Sequence, residues 1–400
     1  MKELNKKLSK KELNEYLKDY GFLWGPETNP YGVEGFMSYG PNGKDLKNKI
    51  EEIINRIFKE ENFAQIETPL FFPEEVYAET GHIGNFKKEL FYLNTSDNKK
   101  LVGRPEIAST IHALFKQILR FSGNRYPIRV FQSGPVLPND RQTEWQIRTR
   151  QYTGHEGHIF YQKSGFEEEE IVSSLKKLAI KMMTRIGLPK DGLVFREKSG
   201  KQKPFYAKKA YGLYTTLFGK EIELLGIQYR SDYDFQKLQK VKLKELPEVF
   251  EISFSTDRPF YVIMANSVTF RSDKTVILNL PDQLKLFDLA VFKTDRSLGV
   301  EKTFDLIKNR LGNGGIRIWA SDTGSIGQKY KKADALGIPI SLSVSEKNIQ
   351  SNECLLRARD DKTQITLPLD KINSAINNIK TGEIFLHISA SDGATSERAQ

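Results

Sequence analysis

Arginines, an aromatic ring and a carboxylate fall at close spacing between residues 126 and 161, in YPIRVFQSGPVLPNDRQTEWQIRTRQYTGHEGHIFY. The segment reads strand, polar loop, strand. Ile128, Val130 and Gln132 alternate with Arg129 and Phe131, residues 138–144 are the loop, and the return strand carries Arg148, Arg150, Tyr152 and Glu156. On such a hairpin arginines can face phosphates, a ring can stack on a base, and an acid can read an exocyclic amino group. Charge alternation is also the ordinary pattern of a solvated hairpin, and the segment taken alone favours that plainer reading.

The elements that must hold this hairpin follow from hydrophobic periodicity. Residues 2–20 read as a charged helix, and residues 44–61 as an amphipathic one with Leu46, Ile50, Ile53, Ile54 and Ile57 inward. A strand at 63–66 runs into Thr68-Pro69, an edge or interface position because proline lacks a donor. Residues 80–86 read as a turn. Arg104-Pro105-Glu106 open a helix bearing Ile107, Ile111, Leu114 and Ile118, since proline and an acid suit a first turn. A helix at 167–187, a basic segment at 196–211 and strands at 212–218, 220–229 and 247–255 follow. Asp257-Arg258-Pro259 then start an apolar helix at 260–268. Near residue 277 the pattern changes. Strands at 287–293, 315–319 and 339–344 alternate with helices at 300–311 and 325–336. A strand pair at 353–360 and 363–369, a helix at 370–379 and a strand at 383–388 complete an α/β pattern with parallel pairing. The chain is thus expected to divide into 1–276, 277–388 and a small polar tail, 389–400, without regular structure.

Composition bounds the partners. With 400 residues, 38% apolar and 28% charged, the chain is a soluble protein of two or three domains. Its net charge of +10 permits a polyanion such as RNA, although a lysine-rich proteome would give the same balance. The single cysteine, Cys354, excludes internal disulfides and a cysteine-built zinc site, and fits a reducing, cytoplasmic setting. No apolar run approaches the ~20 residues of a membrane span, and the N-terminus lacks a signal peptide's apolar segment.

Six segments in order carry a family resemblance. GFLW…YGVEGFMSYGPNGKDLK, ENFAQIETPLFFPEEVYAETGHIGNF, GRPE, EIELLGIQYRSDYDF, PEVFEISFSTDRPFYVIM and DTGSIGQKYKKADALGIP resemble the motifs of the dimeric, archaeal and eukaryotic type of glycyl-tRNA synthetase, a class II family. The resemblance runs from Gly21 to about Phe385. It implies an α+β architecture, with a six-stranded antiparallel sheet flanked by helices and then a C-terminal α/β anticodon-binding domain. It also implies activation of glycine with ATP and Mg²⁺, transfer to tRNA, and a homodimer with Pro69 at its interface. Matched position by position, Glu106, Glu156, Arg230, Glu251 and Ser253 fall on the glycine pocket. Several carboxylates there hold an ammonium, because glycine has no side chain to grip. Asp140, Arg150, Tyr152, Glu223 and Arg258 fall on the ATP site. Arg258 would meet the γ-phosphate and Tyr152 stack on adenine. Glu223, with Glu251, is the expected Mg²⁺ ligand.

The sequence departs from the pattern in the hairpin loop. Pro138 stands where the family has the arginine at the α-phosphate, and Asp140 where a glutamate reads the adenine amino group. Ser255 replaces a glycine near the nucleotide, and the cysteine-rich insertion of many relatives is missing, so no zinc is expected. Arg141, Arg148 and Arg150 are the cations that could substitute for the missing one. Two rival readings follow: a catalytically silent relative that binds nucleic acid, like the accessory subunit of mitochondrial DNA polymerase gamma, and a class II ligase for another amino acid.

Overall fold

The computed structural model describes residues 8–86, 90–295, 297–313, 315–368, 371–372 and 396–398. Contacts separate one compact unit, Asn14–Ala265, from a second made chiefly of the chain from Asn266 onward.

In the first unit, α1 (Pro41–Glu60) starts with proline in its first turn and buries Leu46, Ile50, Ile53, Ile54, Ile57 and Phe58, as its periodicity predicts. Around it run β1 (Ala64–Gln65), α2 (Ala108–Ala113), β2 (Ile128–Val136) and β3 (Tyr152–Tyr161). Next come α3 (Glu168–Arg185), β4 (Val194–Glu197), β5 (Lys209–Leu217), β6 (Lys220–Ser231), α4 (Tyr233–Lys237), β7 (Glu248–Ser255) and α5 (Asp257–Ser267). The strands form a seven-stranded sheet in the order β1-β2-β3-β7-β6-β5-β4. This is one strand more than expected. β1 pairs parallel to β2, and β4, which runs into the start of the expected basic segment, pairs with Tyr211–Tyr214 of β5. All pairs from β2 to β4 are antiparallel.

Strand register sorts the residues. Glu156 lies opposite Ser253, His158 opposite Glu251, and Gln228 opposite Glu251 on the other side. The period of two therefore puts Glu156, His158, Glu251, Ser253 and Gln228 on one face. The other face packs on α1: a Cβ at Gly157 would come within 2.5 Å of the Phe58 ring.

His155 belongs to that second face. It is fully buried, with Nδ1 2.7 Å from the Ser133 hydroxyl and Nε2 2.8 Å from the Thr256 hydroxyl. Burial, with Lys47 nearby, pushes its pKa down from 6.5 to about 3. The folded value lies below the unfolded one, so the stability it contributes is present above pH 6.5 and is lost as pH falls toward 3. The gap is worth about 4–5 kcal/mol in full. Denaturant unfolding between pH 6.5 and 5 should show stability falling with acidification, and His155→Gln should flatten that slope by up to about 1.4 kcal/mol per pH unit. An unaltered slope in a folded variant would contradict this account. His112, also buried and lowered, acts in the same sense.

Three local expectations change. The expected turn at 80–86 contains a helix, His82–Phe86, after Thr80 ends the helix Glu74–Glu79. The helix expected from Arg104 is two, α2 and Phe115–Phe121, because the Leu114 N–H turns back to Ile111 O at 3.0 Å. Glu106 precedes α2 and accepts the Ser109 N–H at 2.8 Å. Arg104 is a buried strap: it donates to Pro135 O at 2.7 Å and to Thr68 O at 2.9 Å, tying the segment before α2 to β2.

The second unit holds β8 (Leu289–Lys293), α6 (Leu298–Asn313), β9 (Ile318–Ser321), α7 (Ile326–Ala335), β10 (Ile340–Val344), β11 (Glu353–Ala358) and β12 (Thr363–Pro368). β8 pairs parallel to β9 and β10, as expected, and β10, β11 and β12 continue antiparallel. Ser325 and Gln328 cap α7 reciprocally. The unit begins before the expected 277 because the hairpin Val268–Phe270/Val276–Leu278 is bound into it. Arg271 pairs with Asp334 at 3.0 Å, and Arg359 donates to Leu278 O at 2.8 Å. Ser396–Arg398 pair with Thr363–Ile365, so the tail, expected to lack regular structure, supplies a strand to the open edge of β12. The helix expected at 370–379 and the strand at 383–388 lie outside the described residues, apart from Lys371 and Ile372. Among the described residues no helix is long and apolar enough to cross a membrane.

Candidate active site

The polar face of the sheet opens into a cavity of about 370 Å³. Eight of the ten predicted site residues line it: Glu106, Asp140, Tyr152, Glu156, Glu223, Glu251, Ser253 and Arg258. Arg150 and Arg230 do not. Arg150 donates to the backbone oxygen of Asp140 at 2.9 Å, and its N–H to Gly35 O at 2.8 Å, so it shapes the loop from behind. Arg230 is buried beneath the lining, where it pairs with Glu251 at 2.7 Å, Asp234 at 2.8 Å and Glu106 at 3.5 Å.

The two ends differ in chemistry. At one end Glu106, Glu156 and Glu251 converge, closed by His82, Gln228 and Tyr206. Glu156 is oriented by the Ile107 N–H at 2.9 Å and Ser253 by Gln228 Oε1 at 3.3 Å. The Tyr206 ring lies over the Arg230 guanidinium, 3.8 Å away. The Asp234 that clamps Arg230 arrives through an irregularity: pairing with β7 shifts between Tyr229 and Ser231, and Ser231 takes φ 55° before α4 begins. Burial pushes Glu106 up, but His82 and Arg230 beside it prevail and hold it below the usual carboxylate range. Burial raises Glu156, with Glu251 and Glu106 adding to it and His158 opposing. Adjacent acids thus differ in how readily they ionise, which is a recurring property of functional clefts.

The other end is cationic. Arg258, at the start of α5, donates to Ile147 O and Glu223 O, both at 2.9 Å, so its guanidinium is held by backbone from the hairpin loop and from β6. The loop is fixed in turn: Gln146, at φ 56°, donates to Asp257 at 3.0 Å, and Tyr39 donates to the same carboxylate at 2.7 Å. Arg148 lines this end and is paired with Asp140. The Asp140 carboxylate is therefore engaged by a cation, where the sequence reading gave it an amino group. Pro138 lines the wall nearby and brings no charge. Tyr152 lines the floor and packs on the Ile107–Val136–Phe160 core, with its phenol pushed up by burial.

Both residues of the expected Mg²⁺ pair, Glu223 and Glu251, line the cavity. Glu251 groups with Glu156 and His158, while the Glu223 carboxylate, outside that group, pairs with Lys198.

Comparison with known proteins follows the same lines. The family described as an anticodon binding domain matches residues 294–379. Glycine–tRNA ligase of Pyrococcus abyssi is 22% identical, covering 92% of this chain and 98% of that protein. The glycine–tRNA ligase of Borrelia hermsii is 22% identical over 89% of this chain and 94% of its own. Among solved structures, Giardia lamblia prolyl-tRNA synthetase in complex with prolyl-adenylate superposes with a TM-score of 0.72 at 16% identity, covering 95% of this chain and 82% of that one. Over most of its length the chain is similar to class II aminoacyl-tRNA synthetases. Its fold is that of this class, with a C-terminal anticodon-binding domain.

Among the lining residues absent from the predicted site are four polar ones, His82, Tyr206, Gln228 and Asp257. His82 and Tyr206 come from segments without periodicity, and nothing in their neighbourhood marks them. Gln228 sits at the alternation shared with Arg230, two residues before it, and was legible from that. Asp257, next to Arg258, was read only as a helix start.

Proposed function

We propose that this chain activates glycine with ATP and transfers the glycyl group to tRNA. The observation that carries the reading is the convergence of Glu106, Glu156 and Glu251 at one end of a cavity whose other end holds Arg148 and Arg258. Three carboxylates suit a small substrate whose one strong handle is its ammonium, and the His82 and Tyr206 rings leave little room for a side chain. The substrate carboxylate then faces the cationic end. There its oxygen attacks the α-phosphorus of ATP, the bond to pyrophosphate breaks, and an adenylate forms. The protein's part is to position the reactants and to meet developing charge with fixed cations.

Arg258 is the preorganised cation for the phosphates, and Arg148 supplies the second charge that Pro138 cannot. Tyr152 offers the ring for adenine. Glu223 is a hard oxygen donor at the same end and fits Mg²⁺, which keeps most of its shell as water and phosphate and takes one or two carboxylates. Bound there, the ion would neutralise phosphate charge. The C-terminal unit is assigned to the tRNA anticodon, supported by the matched family and the basic chain. A cytoplasmic homodimer accords with this reading.

A second reading has its own support, since Pro138 and the Arg148–Asp140 pair alter the nucleotide end. A silent relative would keep the fold and bind tRNA without adenylation. ATP–pyrophosphate exchange measured with each amino acid separates the two. Exchange stimulated by glycine above all others is expected. Stimulation by a different amino acid would replace the substrate assignment, and none with any would favour the silent relative.

A further inference from the structure

The strands that bring the acids together also leave a nitrogen donor bare beside them. Glu156, His158 and Glu251 each offer one ligand atom, and these atoms lie within 4.8 Å of one another. All are buried, with Glu156 7% and His158 0% exposed. Each is oriented by an outer partner. The Ile107 N–H donates to Glu156 Oε1 at 2.9 Å, and Arg230 Nη1 donates to Glu251 Oε2 at 2.7 Å. For His158 the partner is a chain of two contacts: Asp234 Oδ2 is 3.0 Å from His112 Nδ1, and His112 Nε2 is 3.3 Å from His158 Nδ1.

The tautomers follow from that chain. A carboxylate only accepts, so the first proton is on His112 Nδ1. With its proton on Nδ1, His112 accepts at Nε2 from the His158 Nδ1–H, 3.3 Å away. His158 Nε2 is then a lone pair. It lies 3.4 Å from Glu156 Oε2, and neither atom has a hydrogen-bond partner. Two buried acceptors facing one another are satisfied by a shared proton or by a shared metal ion. Glu106, Glu251 and Asp234 share the Arg230 guanidinium, and Glu156 beside them interacts with the charge of Arg104.

We propose that Glu156, His158 and Glu251 form a binding site for a divalent transition-metal ion, open toward the cavity. One imidazole nitrogen with two carboxylate oxygens suits Zn²⁺, Co²⁺ or Mn²⁺ better than Mg²⁺. Outer partners on all three donors are what metal ligands ordinarily have. Arg230 draws charge from Glu251 and keeps the affinity moderate. The metal assignment stands on donor geometry. Only its consequence, that the ion and the substrate ammonium exclude each other, rests on the glycine reading.

The test uses the untagged full chain, stripped with a chelator and titrated with Co²⁺ in the presence of millimolar Mg²⁺. Binding is read from the visible absorption of the bound ion and, for Zn²⁺, by calorimetry. One ion per chain is expected, with the apparent Kd raised at least about tenfold in His158→Gln and again in Glu156→Gln, both checked for folding by circular dichroism. Either variant suffices if the other misfolds. No stoichiometric binding by the wild-type chain, or binding unchanged in a folded variant, would overturn the proposal. Neither ATP nor amino acid is present, so failure here and failure of glycine activation are separate results.

Discussion

Arg258→Ala should lower glycine-dependent ATP–pyrophosphate exchange by about 10²–10³, the usual cost of removing one preorganised electrostatic group. The expectation rests on how the side chain is held. Backbone oxygens of Ile147 and Glu223 fix its guanidinium, and the loop that carries Ile147 is latched by Gln146 and Tyr39 on Asp257. Such a cation needs no reorganisation when phosphate charge develops. Arg258→Lys should fall by more than tenfold as well, because an ammonium on a flexible stem cannot span two fixed carbonyls as a planar fork does. The loss should appear chiefly in the rate at saturating ATP, since the contact matters most as charge builds on the phosphates. Full exchange activity in folded Arg258→Ala would show that Arg258 does not meet the phosphates and that another cation, such as Arg148, does.

How much of this was legible in the sequence depended on periodicity. Glu156, Glu251 and Ser253 sit on strands whose alternation assigns their face, and the register brings them together as the motifs implied. Arg230 has the right parity too. Yet the irregularity at Ser231 and the turn into α4 supply Asp234, which draws the guanidinium under the lining instead of into it. Glu223, Leu224 and Leu225 line the cavity in succession, which a period of two cannot produce; β5 and β6 slip register beside them, between Leu213 and Tyr214. His82 and Tyr206 were invisible because each lies where no repeat existed, in an expected turn and in an expected basic segment. The domain border slipped for a related reason. Arg271 and Arg359 commit the hairpin Val268–Phe270/Val276–Leu278 to the second unit through long-range ion pairs and carbonyl contacts, and composition carries no trace of these.

Arg230→Met should destabilise the fold by about 3–5 kcal/mol, because it leaves buried carboxylates without their counter-charge. Arg230 meets Asp234 through two nitrogens, Nε to Oδ2 at 2.8 Å and Nη2 to Oδ1 at 3.2 Å, and meets Glu251 at 2.7 Å. Its pKa is raised well above the usual value: burial opposes the charge, but Asp234, Glu251 and Glu106 outweigh burial. Asp234 shows the reverse, since burial would raise it while Arg230 and His112 hold it far below the carboxylate range. The sign of the pH effect follows. A depressed folded pKa contributes stability that is present above the unfolded value of about 3.9 and is lost as pH falls through the folded one. Removing Arg230 takes away that contribution, so the stability gap between wild type and variant should hold from neutral pH down to about 4 and narrow below it. A hydrophobic replacement of similar length keeps the packing under Tyr206, so the gap reports charge and not volume. Unfolding of both proteins in urea at several pH values decides the matter. A gap below about 1 kcal/mol at neutral pH, or one that widens on acidification, would mean that Asp234 and Glu251 are neutralised by protonation. The acid end of the cavity would then hold fewer ionised carboxylates than an ammonium substrate needs.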